Sequence, residues 1–451
     1  MPRTIRFRRF TLLSLRDLAV SFGPFILLAI GLLALAYWWL DPMPPRQVRL
    51  ATGPAQSAYA EFGEHYRKAL QANGIEVVLV PSDGSADNLR LLDEGQVDVG
   101  FVQGGSWRGS TSGAVDGIPD ADVPELVSLG DLFLEPVWLF YRTDAARRVV
   151  REGTLTNLAQ FRSLRVNIGT PGSGVPYMMQ ALFKQNGLDT TGMQLSRQDQ
   201  TAATVAFLHG ELDALVFASA PETLMVQMLL TAPDVKLFSF LQNEAYARRL
   251  PFLSPVRLPR GVVDLAADIP PRDVRLVAST TTLLAREGVH PAVLQLLSQA
   301  SLTLHGKAGW FSRPREYPVA SNAEYPVAKE AARTIAGGVP LLQRYLPFTL
   351  ANLLERMWLS LGIILALLLP LSRIVPPLYE FRIRSRVFRW YARLRDIEYR
   401  HEAGETEHER LRTELDELDA AVGKVVIPLS HADELYALRQ HITHVRRRLQ
   451  L

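Results

Sequence analysis

The stretch RVNIGTPGSG, residues 165–174, combines residue types that suit the binding of an anion. Residues 165–168 have the composition of a short strand, which the small residues of 169–174 then interrupt. Pro176 suits the first turn of a helix, which the pattern predicts over 177–185. A helix N-terminus offers N–H donors and partial positive charge to a carboxylate or phosphate. The alternative is a tight loop whose glycines serve only its backbone angles. Four residues are candidate ligand contacts: Thr170, Gly172, Ser173 and Gly174.

A second copy of this arrangement lies upstream, where a strand over 48–51 runs into a loop that begins at Thr52. Ser57 is a predicted N-cap for a helix over 58–70. Downstream of each loop comes a similar phrase, first LDEGQVDVGF and then LHGELDALVF. Each phrase is typical of a helix end, a glycine cap and a strand that starts near an aspartate. The repetition predicts two similar α/β lobes whose loops face each other across a cleft.

Further candidates lie on the loops and strand ends that this arrangement turns towards the cleft. Gln103 ends a strand over 97–102, and a loop glutamine that faces water is its alternative. Trp138 could stack on a ligand or belong to the core. Arg197 is a possible counter-ion or a surface arginine. Ser85 is a predicted N-cap for a helix over 86–93. With these, the candidate ligand contacts are Thr52, Gly53, Ser57, Tyr59, Ser85, Asn88, Gln103, Trp138 and Ser219, besides the four above.

Four phrases of the chain also carry a family resemblance: LATGPAQSAYAEFG, PSDGSADNLRLLDEGQVDVGFVQ, VNIGTPGSG and LHGELDALVF. They resemble the TAXI-type solute-binding proteins of TRAP transporters, over roughly residues 46–305. The resemblance implies a periplasmic binding protein fold of type II, with two lobes that close on a small anionic solute. It also implies TRAP-type membrane subunits as partners. The first loop departs from the family pattern, because it keeps one glycine, Gly53, and one tyrosine, Tyr59, where the family usually has two of each.

Composition narrows the function further. A length of 451 residues leaves room for two or three domains, and a net charge of +3 is too small to suggest nucleic-acid binding. The absence of cysteine excludes disulfides, thiol catalysis and cysteine-bound metals. Phosphate-loop, GxGxxG, HExxH and GxSxG signatures are missing, and Ser173 has no recognisable activating base. His401, Glu405 and His408 could share one helix face, but a solvated charged face is their simpler interpretation. We therefore expect no enzyme, no cofactor and no metal.

The N-terminal region has the pattern of a membrane anchor. Residues 1–17 contain several arginines and one acid, and residues 18–40 contain no charge and are long enough to span a bilayer. Trp38 and Trp39 suit the far interface. A secretory signal peptide is the competing interpretation, since Ala-Leu-Ala at 34–36 resembles a cleavage site. In either case the domain after this segment is exported, and residues 1–17 stay in the cytoplasm.

A second predicted span covers residues 353–377. Arginines interleaved with aromatic residues crowd the stretch after it, which is typical of an interfacial helix that binds lipid headgroups. A nucleic-acid patch needs the same residue types, but a neighbouring span favours the membrane. The charged remainder of 378–451 has apolar spacings that predict a helical hairpin or coiled coil in the cytoplasm.

Together these patterns predict an α/β, two-lobed binding domain over 46–345 in the periplasm, between two spans of a bacterial inner membrane. The first lobe is expected over about 46–135 and 250–345, and the second over about 140–240. The leading hypothesis is capture of a small carboxylate-bearing solute for TRAP-type transport. The alternative is a sensor or scaffold that relays lobe closure to the tail, with a cytoplasmic partner or self-association there. No nucleic-acid partner is expected.

Overall fold

The structure, a computed structural model, describes residues 4–55, 57–106, 125–221, 223–321, 324–404, 408–425 and 432–448. The chain divides into two compact units. The α/β unit is Met43–Asn352, and the helical unit combines Met1–Pro42 with Leu353–Leu451. Each unit is described by itself.

The elements follow one another as strands and helices in alternation through most of the α/β unit. The strands are β1 Gln47–Ala51, β2 Glu76–Val80, β3 Val99–Gln103, β4 Leu126–Arg142, β5 Arg165–Asn167, β6 Gln194–Ser196, β7 Ala214–Ala218, β8 Val235–Leu237, β9 Leu253–Leu258 and β10 Val274–Arg286. The helices are α1 Thr4–Leu40, α2 Ala58–Gln71, α3 Ser85–Asp93, α4 Thr143–Val149, α5 Val175–Gln185, α6 Gln200–Leu208, α7 Leu224–Thr231, α8 Asn243–Arg249, α9 Pro291–His305, α10 Lys329–Gly337, α11 Phe348–Ser372, α12 Val375–Glu402, α13 His408–Gly423 and α14 Ala432–Arg448.

The first lobe is built on three parallel strands, with β1 between β2 and β3. β3 is buried along its whole length, as a central strand covered on both faces must be. Its Phe101 packs in a core with Leu50 of β1, Tyr66 of α2 and Leu297 of α9. The second lobe repeats the arrangement, with β5 between β6 and β7 in parallel.

An arginine–aspartate clamp occurs at the same place in both lobes. Arg49 on β1 donates to Asp98 through its side chain (Nη2 to Oδ1, 2.9 Å) and its backbone N–H (2.8 Å). Arg165 on β5 makes the same two bonds to Asp213, at 2.8 and 3.0 Å. In each lobe the arginine also donates to the carbonyl of a left-handed glycine, as Arg165 does to that of Gly210, where φ is +84°. The two predicted copies are therefore equivalent in detail, and the predicted glycine turns are confirmed.

Two long strands connect the lobes. β4 pairs with β10 along its first half and with β7 over Val137–Tyr141, so that it runs from one lobe into the other. β10 runs back, since its first half pairs with β9 and its second half pairs with β3. This mixed sheet with two lobes and two crossover strands confirms the predicted two-lobed α/β fold.

The lobe boundaries differ from those expected from the sequence. The sequence pattern predicts residues 250–345 in the first lobe, but Leu253, Leu258 and Leu276 pack in the core of the second lobe. The physical reason is strand pairing, because β9 and the first half of β10 form a ladder beside the second lobe. The chain returns to the first lobe along β10.

Of the two predicted N-caps near the cleft, the structure confirms one and not the other. Ser57 caps α2 as predicted, with Oγ accepting from the N–H of Ala60 at 3.2 Å. Ser85 does not cap α3, because Gly84 occupies the N-cap position with φ +129° and Ser85 is the first helical residue. The Ser85 Oγ instead accepts the N–H of Gln103 from the neighbouring strand end.

Among the described residues, two segments are long and apolar enough to cross a membrane: Gly23–Leu40 in the helical unit, and Phe348–Ser372, most of which belongs to the same unit. The second begins earlier than the span predicted at 353–377. It ends at Ser372, where a short non-helical connection separates α11 from α12. Beyond it, α12, α13 and α14 share a core of apolar residues that includes Val387, Leu415 and Ile442. α13 and α14 cover the residues for which a helical hairpin is predicted, and α12 packs with them as a third helix.

The histidines of the tail do not form a metal site in the part of the chain that the structure describes, where no group of three His, Asp or Glu side chains has suitable geometry. Glu405, one of the residues considered for such a site, lies outside the described residues.

Candidate functional site

A cavity of about 140 Å³ lies between the two lobes, and both lobes contribute to its lining. The first lobe brings the α2 and α3 starts and the end of β3, and the second lobe brings the start of α5, the start of α6 and β7. Polar loop and strand-end residues converge here because parallel strands all end at one edge of each sheet. Six of the predicted contacts line this cavity: Ser57, Tyr59, Gln103, Thr170, Ser173 and Ser219.

Four further candidates lie on the first lobe and do not line the cavity, and the side chains of three of them, Thr52, Ser85 and Asn88, form hydrogen bonds within that lobe. Asn88 is fully buried and donates through Nδ2 to the carbonyls of Thr52 (2.6 Å) and Phe101 (2.8 Å). The Thr52 hydroxyl donates to Val80. These bonds connect the ends of β1, β2 and β3 to one another and to α3. The polar side chains therefore form their hydrogen bonds within the lobe. The four residues are Thr52, Gly53, Ser85 and Asn88.

Trp138 is also outside the cavity lining, and it is a 0% exposed member of the core of the second lobe. Its ring lies beside Phe140, and its Nε1 donates to the backbone carbonyl of Ser219 at 3.0 Å. The structure thus shows the core alternative for this tryptophan. Its bond to Ser219 nevertheless fixes the loop that carries a cavity residue.

Gly172 and Gly174 are not among the residues that line the cavity, and both approach the opposite lobe closely. A Cβ on Gly172 would lie 2.5 Å from the Cβ of Asp83, and a Cβ on Gly174 would lie 3.1 Å from Oε1 of Gln103. Gly84 lies opposite this loop, since a Cβ added to Gly84 would lie 2.9 Å from the Cα of Ser173. The two glycine loops therefore touch backbone to backbone and close one side of the cleft.

Ser173 lines the cavity, but its hydroxyl is already engaged. Its Oγ donates to the carbonyl of Thr170 at 2.7 Å, which leaves the oxygen lone pairs for a ligand. Val175, the first residue of α5, also lines the cavity, so the helix start predicted from the sequence does face this space.

The most buried ionisable group of the lining is one that the motifs did not single out. Glu135 on β4 is 3% exposed, and it accepts a hydrogen bond from the Tyr59 hydroxyl at 3.1 Å. Burial raises the pKa of Glu135 to about 7, although the hydrogen bonds from Tyr59 and Thr281 oppose the shift. The signal in the sequence was a single charge inside the apolar run LFLEPVWLFY.

Carboxylates dominate the charge of the lining. Asp83, Glu135 and Asp199 all border the cavity, whereas the described lining residues include neither lysine nor arginine. Asp199 caps α6 by accepting from the N–H groups of Thr201 and Ala202, each at 3.0 Å. Arg197, considered as a counter-ion, borders a separate cavity beside α5.

Amide side chains complete the polar lining. Gln103 donates through Nε2 to Ser279 at 2.6 Å and faces Met178 of the other lobe, 3.8 Å from its sulfur. Asn167, which sequence reasoning missed, accepts from the N–H of Gln198 at 2.8 Å. Asn167 ends β5, the middle strand of the second lobe, so it lies at the sheet edge that faces the cleft.

Comparisons with known proteins bear on the same part of the chain. The sequence model of a family described as the NMT1-like family matches residues 50–300. A search of curated proteins found no similar sequence. Among solved structures, a protein of Bordetella bronchiseptica RB50 is 14% identical, with 59% of this chain and 73% of that chain covered and a TM-score of 0.40. The alkanesulfonate-binding protein of Xanthomonas axonopodis pv. citri, bound to MOPS, is 14% identical, with 59% and 78% covered and a TM-score of 0.36. The GluR0 ligand-binding core with L-glutamate is 8% identical, with 58% and 93% covered and a TM-score of 0.34.

Proposed function

Since the chain belongs to the NMT1-like family, we propose that it is a binding protein that captures a small organic solute between its two lobes. The observation that carries this proposal is the cavity to which both lobes contribute polar side chains. Closure of such lobes removes the solute from water and lets each lobe hold one side of it. Binding without conversion fits the contacts of Ser173, because its hydroxyl donates to a carbonyl and not to a base that could activate it.

We further propose that the solute carries a carboxylate. The start of α5 supports this, since a helix N-terminus favours an anion. The raised pKa of Glu135 also supports it, because a protonated carboxyl can donate a hydrogen bond to a solute carboxylate. The charge of Asp199 is offset by the two N–H groups that it accepts at the start of α6. A carboxylate can therefore enter a cavity whose described lining carries no basic side chain.

Delivery of the captured solute to a TRAP-type transporter is the leading proposal for the role of this binding. It rests on the TAXI resemblance of the loop phrases and on the two helices long enough to span a membrane. In this arrangement the protein sits in a bacterial inner membrane, with the α/β unit in the periplasm and both termini in the cytoplasm. The arginines that precede the first span and follow the second favour that orientation.

The second candidate is a sensor or scaffold that passes lobe closure on to the tail. A specific observation favours keeping it, because the helices after the second span share an apolar core of their own. A tail that served only as an anchor would not need such a core. Deleting residues 396–451 separates the two candidates: intact solute uptake supports transport, and unchanged binding with a lost downstream response supports sensing.

Mass spectrometry tests the binding proposal itself. The full chain is extracted from membranes in detergent and purified without added solute, and the molecules released on denaturation are identified. We expect one carboxylate compound in near-stoichiometric amount, absent from a mock purification of cells without the protein. Release of a compound that lacks a carboxylate would contradict the proposal that the solute carries a carboxylate. If no compound is released above the mock purification and none of a panel of metabolites binds, the proposal of solute binding is also contradicted.

A further inference from the structure

A second cavity lies beside the first, near the point where β4 passes between the lobes, and its volume is about 220 Å³. Phe62 of α2 and Phe133 of β4 form one side, with ring centroids 4.9 Å apart. Trp310, Phe311 and Tyr317, from the segment after α9, form another side. Among its described lining residues, aromatic rings therefore predominate.

Three elements contribute residues to the lining of both cavities. On α2, Tyr59 lines the first cavity and Phe62, one helical turn later, lines the second. On β4, Glu135 lines the first and Phe133, two residues away on the same face, lines the second. After β7, Ser219 lines the first and Ala220 the second. The two cavities are neighbours that share these three walls.

The two cavities differ in charge. The lining of the first includes three carboxylate residues, whereas the lining of the second includes one exposed lysine, Lys307, and, among its described residues, no aspartate or glutamate. His305 also lines it, 4.5 Å between ring centroids from Phe62, and burial lowers the pKa of this histidine to about 3, so the ring is neutral. The second cavity therefore combines aromatic walls with a cation at an exposed position.

We propose that this second cavity binds a small aromatic carboxylate, as a site separate from the solute site in the first cavity. An apolar cavity of roughly 150 Å³ is large enough for benzene, so a single ring fits a volume of this size. Edge and face contacts with Phe62, Phe133 and Trp310 hold the ring, and Lys307 holds the carboxylate.

Occupancy of this site favours the closed arrangement of the lobes. Phe62 belongs to the first lobe and Ala220 to the second, so a ligand that touches both walls binds the closed form more tightly than an open one. By linkage, the aromatic carboxylate and the solute of the first cavity strengthen each other's binding.

Isothermal titration of the detergent-purified full chain with phenylacetate tests the site. Cyclohexylacetate keeps the charge without the aromatic ring, and phenylacetamide keeps the ring without the charge. We expect saturable binding of phenylacetate, with cyclohexylacetate weaker by roughly two- to tenfold and phenylacetamide weaker by roughly two- to fivefold. Absence of saturable phenylacetate binding below about 10 mM, on the order of 3 kcal/mol of affinity, overturns the proposal.

Two variants locate the binding. Lys307→Gln should weaken phenylacetate roughly two- to fivefold and leave phenylacetamide unchanged, whereas Lys184→Gln, the same change at an exposed lysine on α5, should alter neither. Phenylacetate should change the tryptophan fluorescence of the parent, and Trp310→Phe should abolish that change. Thermal midpoints near that of the parent show that both variants fold. Binding that is indifferent to both substitutions assigns phenylacetate to another place and contradicts the site.

Discussion

Glu135 is the residue on which the chemistry of the cleft depends most. It sits in the middle of β4, almost completely shielded from solvent, with the Tyr59 hydroxyl as a hydrogen-bond donor. Tyr59 stays a neutral hydrogen-bond donor and supplies no positive charge, because burial and the nearby Glu135 charge raise the pKa of the tyrosine well above its ordinary value. The buried carboxyl therefore gains a proton near neutral pH instead of an ion-pair partner.

The pKa of Glu135 has a consequence for stability. In the folded protein the Glu135 carboxyl keeps its proton up to a pH of about 7, whereas its ordinary pKa is 4.5. Between these two pH values the folded state therefore binds more protons than the unfolded state. Stability contributed by this group is therefore full at low pH and falls as the pH rises through that window. Glu135→Gln removes the cost of ionisation and should raise stability at pH 8 by on the order of 1–3 kcal/mol.

Thermal unfolding of the full chain at pH 5 and pH 8 measures this effect. The midpoint of Glu135→Gln relative to the parent should be higher at pH 8 than at pH 5. Asp83→Asn, at an exposed carboxylate of the same cavity, is the matched control and should shift the two midpoints equally. A parent and a Glu135→Gln variant with parallel pH profiles would show that Glu135 ionises as an ordinary surface acid does.

At the scale of elements, the glycine loops determine whether the lobes can meet. Gly84 before α3 and Gly172 before α5 lie against the other lobe with no room for a side chain. Gly172→Ala should therefore weaken solute binding at least about tenfold, since closure would force backbone apart, while the ligand-free thermal midpoint stays near that of the parent. Titration with the solute identified by mass spectrometry measures it.

Gly288→Ala is the control for that substitution, because nothing lies within 4 Å of a Cβ at Gly288. It should leave affinity unchanged. Equal affinity of the parent and Gly172→Ala would mean that the loops need not touch for the solute to be held.

The elements also show what a sequence can and cannot reveal. The repeat predicted the glycine turns and the Ser57 cap, because those depend on neighbours along the chain. It could not reveal that Gly172 faces Asp83, or that β9 joins the second lobe, because both depend on contacts between distant segments. The equivalent strand positions of Arg49 and Arg165 can be read from the sequence, but their aspartate partners are known only from the fold.

At the scale of the whole molecule, the arginine distribution leads to a topology prediction. Within the residues that the structure describes, two helices are apolar and long enough to span a membrane, and arginine-rich stretches precede the first and follow the second. Alkaline phosphatase and green fluorescent protein fusions at residues 200 and 420 should report opposite compartments, with position 200 outside the cytoplasm. The same compartment at both positions would rule out the proposed membrane arrangement.

Closure of the two lobes on a solute is the central claim, and a distance between the lobes tests it most directly. The chain contains no cysteine, so spin labels can be placed only where cysteines are introduced, at Arg90 on α3 and Gln180 on α5. Pulsed electron spin resonance of the full chain then compares the distance distribution with and without the solute identified by mass spectrometry. We expect a shift to a shorter, narrower distribution at saturation. An unchanged distribution with the solute demonstrably bound would contradict it.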